Sequence, residues 1–335
     1  MESEKVSILV PIYGVESFIE RCAISLFEQT YENIEYVFVD DCTNDNSIKV
    51  LSDVISRYPN RSPQVKVIRH PSNRGLAGTR NTAVYYSTGN FIIHVDSDDY
   101  VDISLVKSLV LKQKENDADI VVSSYKKFYS SFSESVEYPL LDSSLEYCLK
   151  TVERDIPGSI WGKLIRRSLY IDNNLRCQEG SNQGEDFQVL PLLFYYAKSV
   201  AVLKECLYYY DCLNQGSYSN SFTVRKHNEN WKSMDIVKSF FEGKGTKFED
   251  AIKKCQVKQL ADDFVISAKA KGEVRKCYYE YAYDKLQHIE KKYWSTLSVT
   301  KRIVLYLTPI ENLMRIYVLM ARFAHHLCMS VFFRR

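Results

Sequence analysis

From Val6 onward the apolar positions fall into short β-branched runs separated by longer stretches of helical period. VSILVP (6–11) predicts a strand buried on both faces. Phe18, Cys22 and Leu26, with Ile19, Ala23 and Phe27, give i, i+4 stripes that predict the first helix. The unit then repeats. IEYVFV (34–39) reads as a strand, Ile48, Leu51 and Ile55 mark a helix, 65–68 is a third strand and Leu76–Ser87 a third helix. FIIHV (91–95) is the fourth strand, Leu105 and Leu109 belong to a fourth helix, and IVVS (120–123) is the fifth strand. This alternation is that of βαβ units, and it predicts an α/β fold, a Rossmann-like, mostly parallel sheet flanked by helices. Beyond about residue 125 the alternation fades into Tyr-rich, less regular sequence, and helical periodicity returns from Glu185. There is no internal repeat and no low-complexity linker.

Polar residues that carry chemistry cluster where α/β sheets place it, just past the carboxyl ends of strands. The second strand ends in Asp40 and Asp41, the fourth in Asp96, Ser97, Asp98 and Asp99. A lone acidic pair there is commonly a turn or a helix cap. The three Asp of VDSDD repel one another unless a cation neutralises them, and hard oxygen ligands suit Mg²⁺ or Mn²⁺ carrying a diphosphate. The competing reading is a solvated acidic loop that caps the fourth helix. No GxxxxGK[ST] and no GxGxxG follows the first strand, so ordinary ATPase and dinucleotide readings fail and metal must meet the phosphate charge. Gly184-Glu185-Asp186 opens the helix FQVLPLLFYY, where acids also favour the helix dipole.

Composition narrows the class. With 335 residues, 45% hydrophobic and 26% charged, the chain can bury a sizeable core and is neither disordered, collagenous nor a coiled coil. A net charge of +2 gives no nucleic-acid footprint. The average hides an asymmetry: residues 291–335 hold eight bases against Glu311 alone, +7, and the preceding 290 residues carry −5. Nine cysteines without a CxxC pair read as reduced thiols of a cytosolic protein. The apolar run after Lys5 is too short for a secretory signal.

SILVPIYGVESFIERCAISLFEQTYENIEYVFVDDCTNDNS, followed by NRGLAGTRNTAVYYSTGNFIIHVDSDD, resembles the N-terminal domain of family 2 glycosyltransferases of the GT-A fold. The likeness covers residues 5–125 closely and continues more weakly through Trp161, Lys163 and Gly184-Glu185-Asp186 to about 217. It implies a nucleotide-sugar-binding domain over 1–125, an acceptor-binding part of the catalytic domain over 126–225 and a helical C-terminal region over 226–335. It further implies an inverting, metal-dependent transfer of a hexosyl or N-acetylhexosaminyl group. The donor would be a nucleotide sugar, UDP-linked, and the acceptor a saccharide or lipid-linked saccharide, in polysaccharide biosynthesis in the bacterial cytoplasm. By that resemblance Pro11 and Tyr13 line the base, Asp41 contacts the uracil edge and Asp40 supports it. Asp96 lies near the ribose, and Asp98 is the direct ligand of Mn²⁺ or Mg²⁺ in the DxD element with Asp96 beside it. Asp99 supports the ligand or faces the acceptor, and Arg80 braces the acidic cluster or the diphosphate. Asp186 is the general base, Glu185, Trp161 and Lys163 face the acceptor, and Ser217 sits in a loop, YYYDCLNQGSYSNS, that folds over the diphosphate.

The chain departs from the family pattern in places. Cys42 and Thr43 follow the paired Asp where Gly and Ser are usual, Ile103 replaces a frequent Pro, and Asp211 and Asn214 stand where an Arg precedes Gly-Ser. A nucleotidyltransferase would place a basic Gly-rich loop after the first strand, and PIYGVES has no base. A binding module without catalysis would be expected to lack Asp98 or Asp186, and both are present. In the tail, Thr308, Pro309 and Glu311 fit N-cap, N1 and N3 of a helix on which Glu311, Arg315, Arg322 and His326 form one stripe among apolar neighbours. Arg322 interrupts any conventional membrane span. Two placements fit: a terminal helix packed on the second domain or on a second copy of the chain, or residues 302–335 lying peripherally on the inner face of the cytoplasmic membrane.

Overall fold

The computed structural model describes residues 3–214 and 221–332, with side chains up to residue 321. Two compact units emerge, residues 1–151 with 155–219, and 152–154 with 220–335. The first contains β1 (Val6–Ile12), α1 (Ile19–Phe27), β2 (Ile34–Asp40), α2 (Ser47–Arg57), β3 (Val65–Arg69), α3 (Gly75–Tyr86) and β4 (Phe91–His94). It continues through β5 (Tyr100–Val101), α4 (Leu105–Asn116), β6 (Ile120–Phe128), β7 (Ser133–Val136), α5 (Ser144–Val152), β8 (Lys163–Arg166), α6 (Arg167–Asp172), α7 (Glu185–Tyr196) and β9 (Val200–Asp211).

The βαβ alternation appears as expected through β6. The sheet order is β3-β2-β1-β4-β8-β6-β9-β5, with β7 on β6. β3, β2, β1 and β4 run parallel, β8 is antiparallel to both β4 and β6, and β9 is parallel to β6. Every residue of β1 and β2 is buried, which is why both read as unbroken apolar runs. Ile8, Val10, Phe38 and Ile93 pack with Ile19, Ala23, Leu26, Leu105 and Leu109 in the principal core.

The stretch read as irregular is in fact the other half of the sheet. The expected break at 125 falls inside β6, and Tyr208, Tyr209 and Tyr210, expected in a loop, belong to the twelve-residue strand β9. Gly216 and Ser217 lie outside the described residues. Aromatic residues favour strands as strongly as β-branched ones do, but β9 packs other strands and side chains around it, and no simple alternation marks it.

The second unit is helical: α8 (Val224–Phe241), α9 (Thr246–Lys269), α10 (Gly272–Leu286), α11 (Val299–Leu307) and α12 (Glu311–Phe332). The expected capping box is not formed. VTKRIVLYL makes its own helix, α11, and Thr308 closes it, donating from Oγ1 to the Leu305 carbonyl at 2.9 Å. Glu311 instead pairs with Arg275. Val304 and Leu305 of α11 and Met314 and Val318 of α12 are buried, and α11 and α12 both pack on α9, so one face of this stretch packs in the core of this unit. The eight described cysteines are free thiols.

One buried carboxylate ties the first unit together at the end of the sheet away from the Asp clusters. Glu35 of β2 accepts from Ser7 Oγ at 2.5 Å, from Thr88 Oγ1 at 2.7 Å, from the Thr88 and Gly89 amides, and from Lys5 and Lys66 Nζ at 3.1 Å each. Burial alone would raise its pKa, but the bonds from Ser7, Thr88 and Lys5 outweigh burial and hold the carboxyl at about 2. A depressed folded-state pKa gives stability above the unfolded value that is lost as pH falls through the folded one. Urea unfolding midpoints should therefore drop as pH falls from about 4.5 toward 2, and Glu35→Gln should flatten that part of the profile at a cost of about 1–3 kcal/mol at neutral pH.

Candidate active site

The chain leaves β1 for β2 and β3 on one side and then crosses to β4 on the other, so a crevice opens beyond the carboxyl ends of β1, β2 and β4. Pro11 is buried within β1, and Tyr13, just past its end, is 54% exposed. Asp40 accepts from the Thr43 amide at 2.8 Å and faces Arg69 Nε at 3.3 Å. Asp41 Oδ1 accepts from His70 Nδ1 at 2.7 Å and the Arg74 amide at 2.8 Å, and Oδ2 from the Gly75 amide at 2.7 Å. A carboxylate from β2 thus caps the start of α3, and Gly75, at φ +75°, is the residue that tolerates the turn.

Past β4 the acids separate by environment. Asp96 is partly exposed and lies 3.0 Å from Arg80 Nη2. Asp98 Oδ2 accepts from Asn214 Nδ2 at 2.9 Å, and burial, Asp96 and Asp211 push its carboxyl above the ordinary range. Asp99 is fully buried, with Oδ2 accepting from the Tyr208 hydroxyl at 2.6 Å and Oδ1 from the Asp211 amide at 2.8 Å. Both of its oxygens are spent on β9, so it supports the acidic loop and does not face an acceptor.

Arg80, buried in α3, joins this loop to the N-terminus of α7. Besides Asp96 it approaches Asp186 Oδ1 with Nε at 3.3 Å and Glu185 Oε1 with Nη2 at 3.5 Å. Asp186 Oδ2 also accepts from the Ile160 amide at 3.0 Å. Burial raises the Asp186 carboxyl above the usual range, with Arg80 pulling the other way. Glu185 goes further, to about 8, through burial and the neighbouring Asp186. Of the two, Glu185 is the carboxyl pushed further toward its protonated form. A cavity of about 310 Å³ lies under this cluster, lined by Arg80, His94, Tyr170, Glu185 and Asp186 among others.

Two expected acceptor contacts are interior. Trp161 is buried, stacked on Tyr208 and Tyr210 at interplanar angles of 11° and edge-on to Tyr125, so its ring faces are taken by aromatic neighbours. Lys163 is buried as well: its Nζ donates to the Ser159 carbonyl at 2.5 Å and lies over the Tyr138 ring. Burial pushes that amine down to about 7 against the pull of Asp186. Both residues are buried in the wall behind Asp186.

The profile of Glycosyl transferase family 2 matches residues 7–173. This chain belongs to glycosyl transferase family 2. The uncharacterized glycosyltransferase EpsJ of Bacillus subtilis is 34% identical over 215 residues, 61% of this chain and 60% of that one. The glycosyltransferase GlyA of Streptococcus pneumoniae is 30% identical over 234 residues, 66% of this chain and 32% of that one. The chain thus spans from about a third to about three fifths of the length of these relatives. In structure, residues 1–349 of Staphylococcus aureus TarS, in complex with UDP-GlcNAc, superpose with a TM-score of 0.72 at 19% identity, covering 96% of this chain and 92% of that one. That likeness establishes the GT-A fold.

Other members of this family 2 site escaped the sequence. Arg21 of α1 donates through Nη2 to the Asp98 carbonyl at 3.1 Å and to Asp211 Oδ2 at 2.5 Å, and its guanidinium lies over the Tyr100 ring. In sequence it is a single base between the apolar positions of an amphipathic helix. Asp211 and Asn214 were visible only as departures from the family pattern, and Asp99 reaches Asp211 across 112 residues of chain. The Arg80 cluster makes a stability prediction. Arg80→Ala leaves Asp96 and Asp186 facing buried space without a counter-charge and should cost about 3–5 kcal/mol in chemical denaturation. Arg80→Lys should recover only part of this, since a single ammonium cannot span three carboxylates as a planar fork does.

Proposed function

We propose that this family 2 chain is an inverting glycosyltransferase of the bacterial cytoplasm. It moves a hexosyl or N-acetylhexosaminyl group from a UDP-linked donor to a hydroxyl of a saccharide or lipid-linked saccharide acceptor, in polysaccharide biosynthesis. The observation that carries this reading is the bridge made by Arg80, which holds Asp96 and Asp186 in one cluster at the carboxyl edge of the sheet. The UDP-GlcNAc of the TarS complex supports the donor class.

Asp186 takes the proton of the acceptor hydroxyl, which attacks the anomeric carbon from the side opposite the diphosphate, and the configuration inverts. Burial raises the Asp186 carboxyl above the usual range, which improves it as a base, while Arg80 and the Ile160 amide pull the other way and orient it. Glu185, protonated near neutrality, has an O–H to offer the acceptor. Tyr13 and Pro11 flank the base of the nucleotide. Oδ2 of Asp41 accepts only from Gly75 and keeps a lone pair for the uracil edge, with Asp40 holding the turn behind it. The acidic loop fits a divalent cation. Its donors are hard oxygens, and Asp98 is crowded by Asp96 and Asp211, so positive charge there is favourable. No group of three ligating side chains converges among the described residues. Asp98, with Asp96 beside it, would hold Mn²⁺ or Mg²⁺, whose chemistry is to neutralise the departing diphosphate. Ser217 keeps its expected place near that diphosphate by resemblance alone.

Two measurements test the reading. In calorimetry, UDP and UDP-sugars should bind more tightly with Mn²⁺ than without it, and Asp98→Asn should abolish the metal-dependent part while thermal unfolding stays near wild type. Equal affinity with and without metal in the wild type would remove the cation from the site. Asp186→Asn should lose transfer by about 10²–10⁴-fold with donor affinity little changed. The wild-type rate should fall as pH drops through the raised pKa of Asp186. Transfer by Asp186→Asn at near wild-type rate would end its role as base.

A further inference from the structure

The second unit carries a surface that its own packing does not explain. α12 uses Met314 and Val318 to pack inward, beside α9. On the opposite side, the exposed described positions of α12 are Asn312, Leu313, Ile316, Leu319 and Met320, and none is charged. Together with Ile310, which opens the helix by accepting from the Met314 amide, these apolar side chains are 47–66% exposed. Leu313, Ile316 and Met320 recur at i, i+3 and i+7 with Leu319 beside them, so they form one stripe about 10 Å long. A soluble helix normally turns charge outward at such positions; this one has apolar side chains on both faces. A contiguous apolar patch of this kind marks an interaction site.

We propose that this face of α12 docks on an anionic lipid surface, the helix lying in the plane of the headgroups. The choice of occupant rests on charge. Residues 291–335 carry +7, their one acid, Glu311, is bound to Arg275, and α12 continues to Phe332 through sequence without a further acid. Lys292 and Lys301 pair with Glu290 and Asp262, and the segment remains net positive beside an apolar stripe, which complements lipid headgroups that supply negative charge and an apolar layer at the same depth. A second copy of the chain would bring two +7 segments together and oppose its own docking. No described helix is long and apolar enough to cross a membrane, so the contact is peripheral. This inference does not depend on the activity proposed above.

The test uses the full chain, sedimented with phosphatidylcholine vesicles and with vesicles containing about a quarter phosphatidylglycerol. Wild type should pellet with the anionic vesicles and not with the zwitterionic ones, and 0.5 M salt should weaken the binding by screening. Ile316→Glu/Met320→Glu should reduce binding by about tenfold or more. Leu313→Gln/Leu319→Gln should do so too, which separates lost apolar contact from added negative charge. All four side chains point outward, so circular dichroism and melting temperature should stay near wild type in both variants. Wild type that stays in the supernatant with anionic vesicles overturns the proposal, as do variants that pellet as wild type does. A concentration-dependent dimer in sedimentation velocity that these substitutions abolish, without vesicle binding, would assign the face to a second copy and overturn it equally.

Discussion

A single buried guanidinium sets the terms for the whole catalytic crevice. Three carboxylates, from the loop after β4 and from the first turn of α7, meet within 3.5 Å of Arg80, a residue of α3. Without a positive charge between them, Asp96, Glu185 and Asp186 would repel one another and the two segments would part. With one Arg for three acids the cluster remains short of positive charge, so burial and mutual repulsion raise Glu185 and Asp186. The same shortage that threatens stability makes Asp186 suited to accept a proton.

A second network performs the corresponding work around Asp98. Asp99 is committed to β9 through Tyr208 and the Asp211 amide, Arg21 clamps the Asp98 carbonyl to Asp211, and Asn214 reaches the Asp98 carboxylate. Three segments distant in sequence, α1, the acidic loop and the end of β9 with Asn214, therefore determine where one carboxylate points. Trp161 and Lys163 extend this support: their burial sets the wall formed by Tyr208 and by the segment Ser159–Trp161, against which the Ile160 amide presents itself to Asp186. Residues that looked suited to touch a substrate instead pack behind the acidic cluster.

What was legible along the chain follows from burial. β1, β2 and β4 lie inside the sheet and are covered on both faces, so each reads as an apolar run. The helices between them have one buried side and show the period of a half-buried helix. Those elements, and the acids at their ends, could be placed from periodicity alone. β9 could not. It carries Lys204 and Glu205 among its apolar and aromatic positions, and a bulge between Ser123 and Tyr125 shifts its register with β6. Thr308 failed for a related reason, since a capping pattern is local and does not reveal that an earlier helix has already claimed the residue.

By itself the sequence determined the α/β class, the family and the placing of acids at the ends of strands and at the start of α7. These depend on local periodicity and on short motifs within a few residues of a strand end. Tertiary structure alone decided which acids share a counter-charge, that Asp99, Trp161 and Lys163 face inward, that Arg21 belongs to the site, and that α12 leaves an apolar stripe uncovered. Each of those outcomes depends on contacts between residues tens to hundreds of positions apart. Whether a polar side chain ends as ligand, base or brace is set by what the rest of the chain packs beside it.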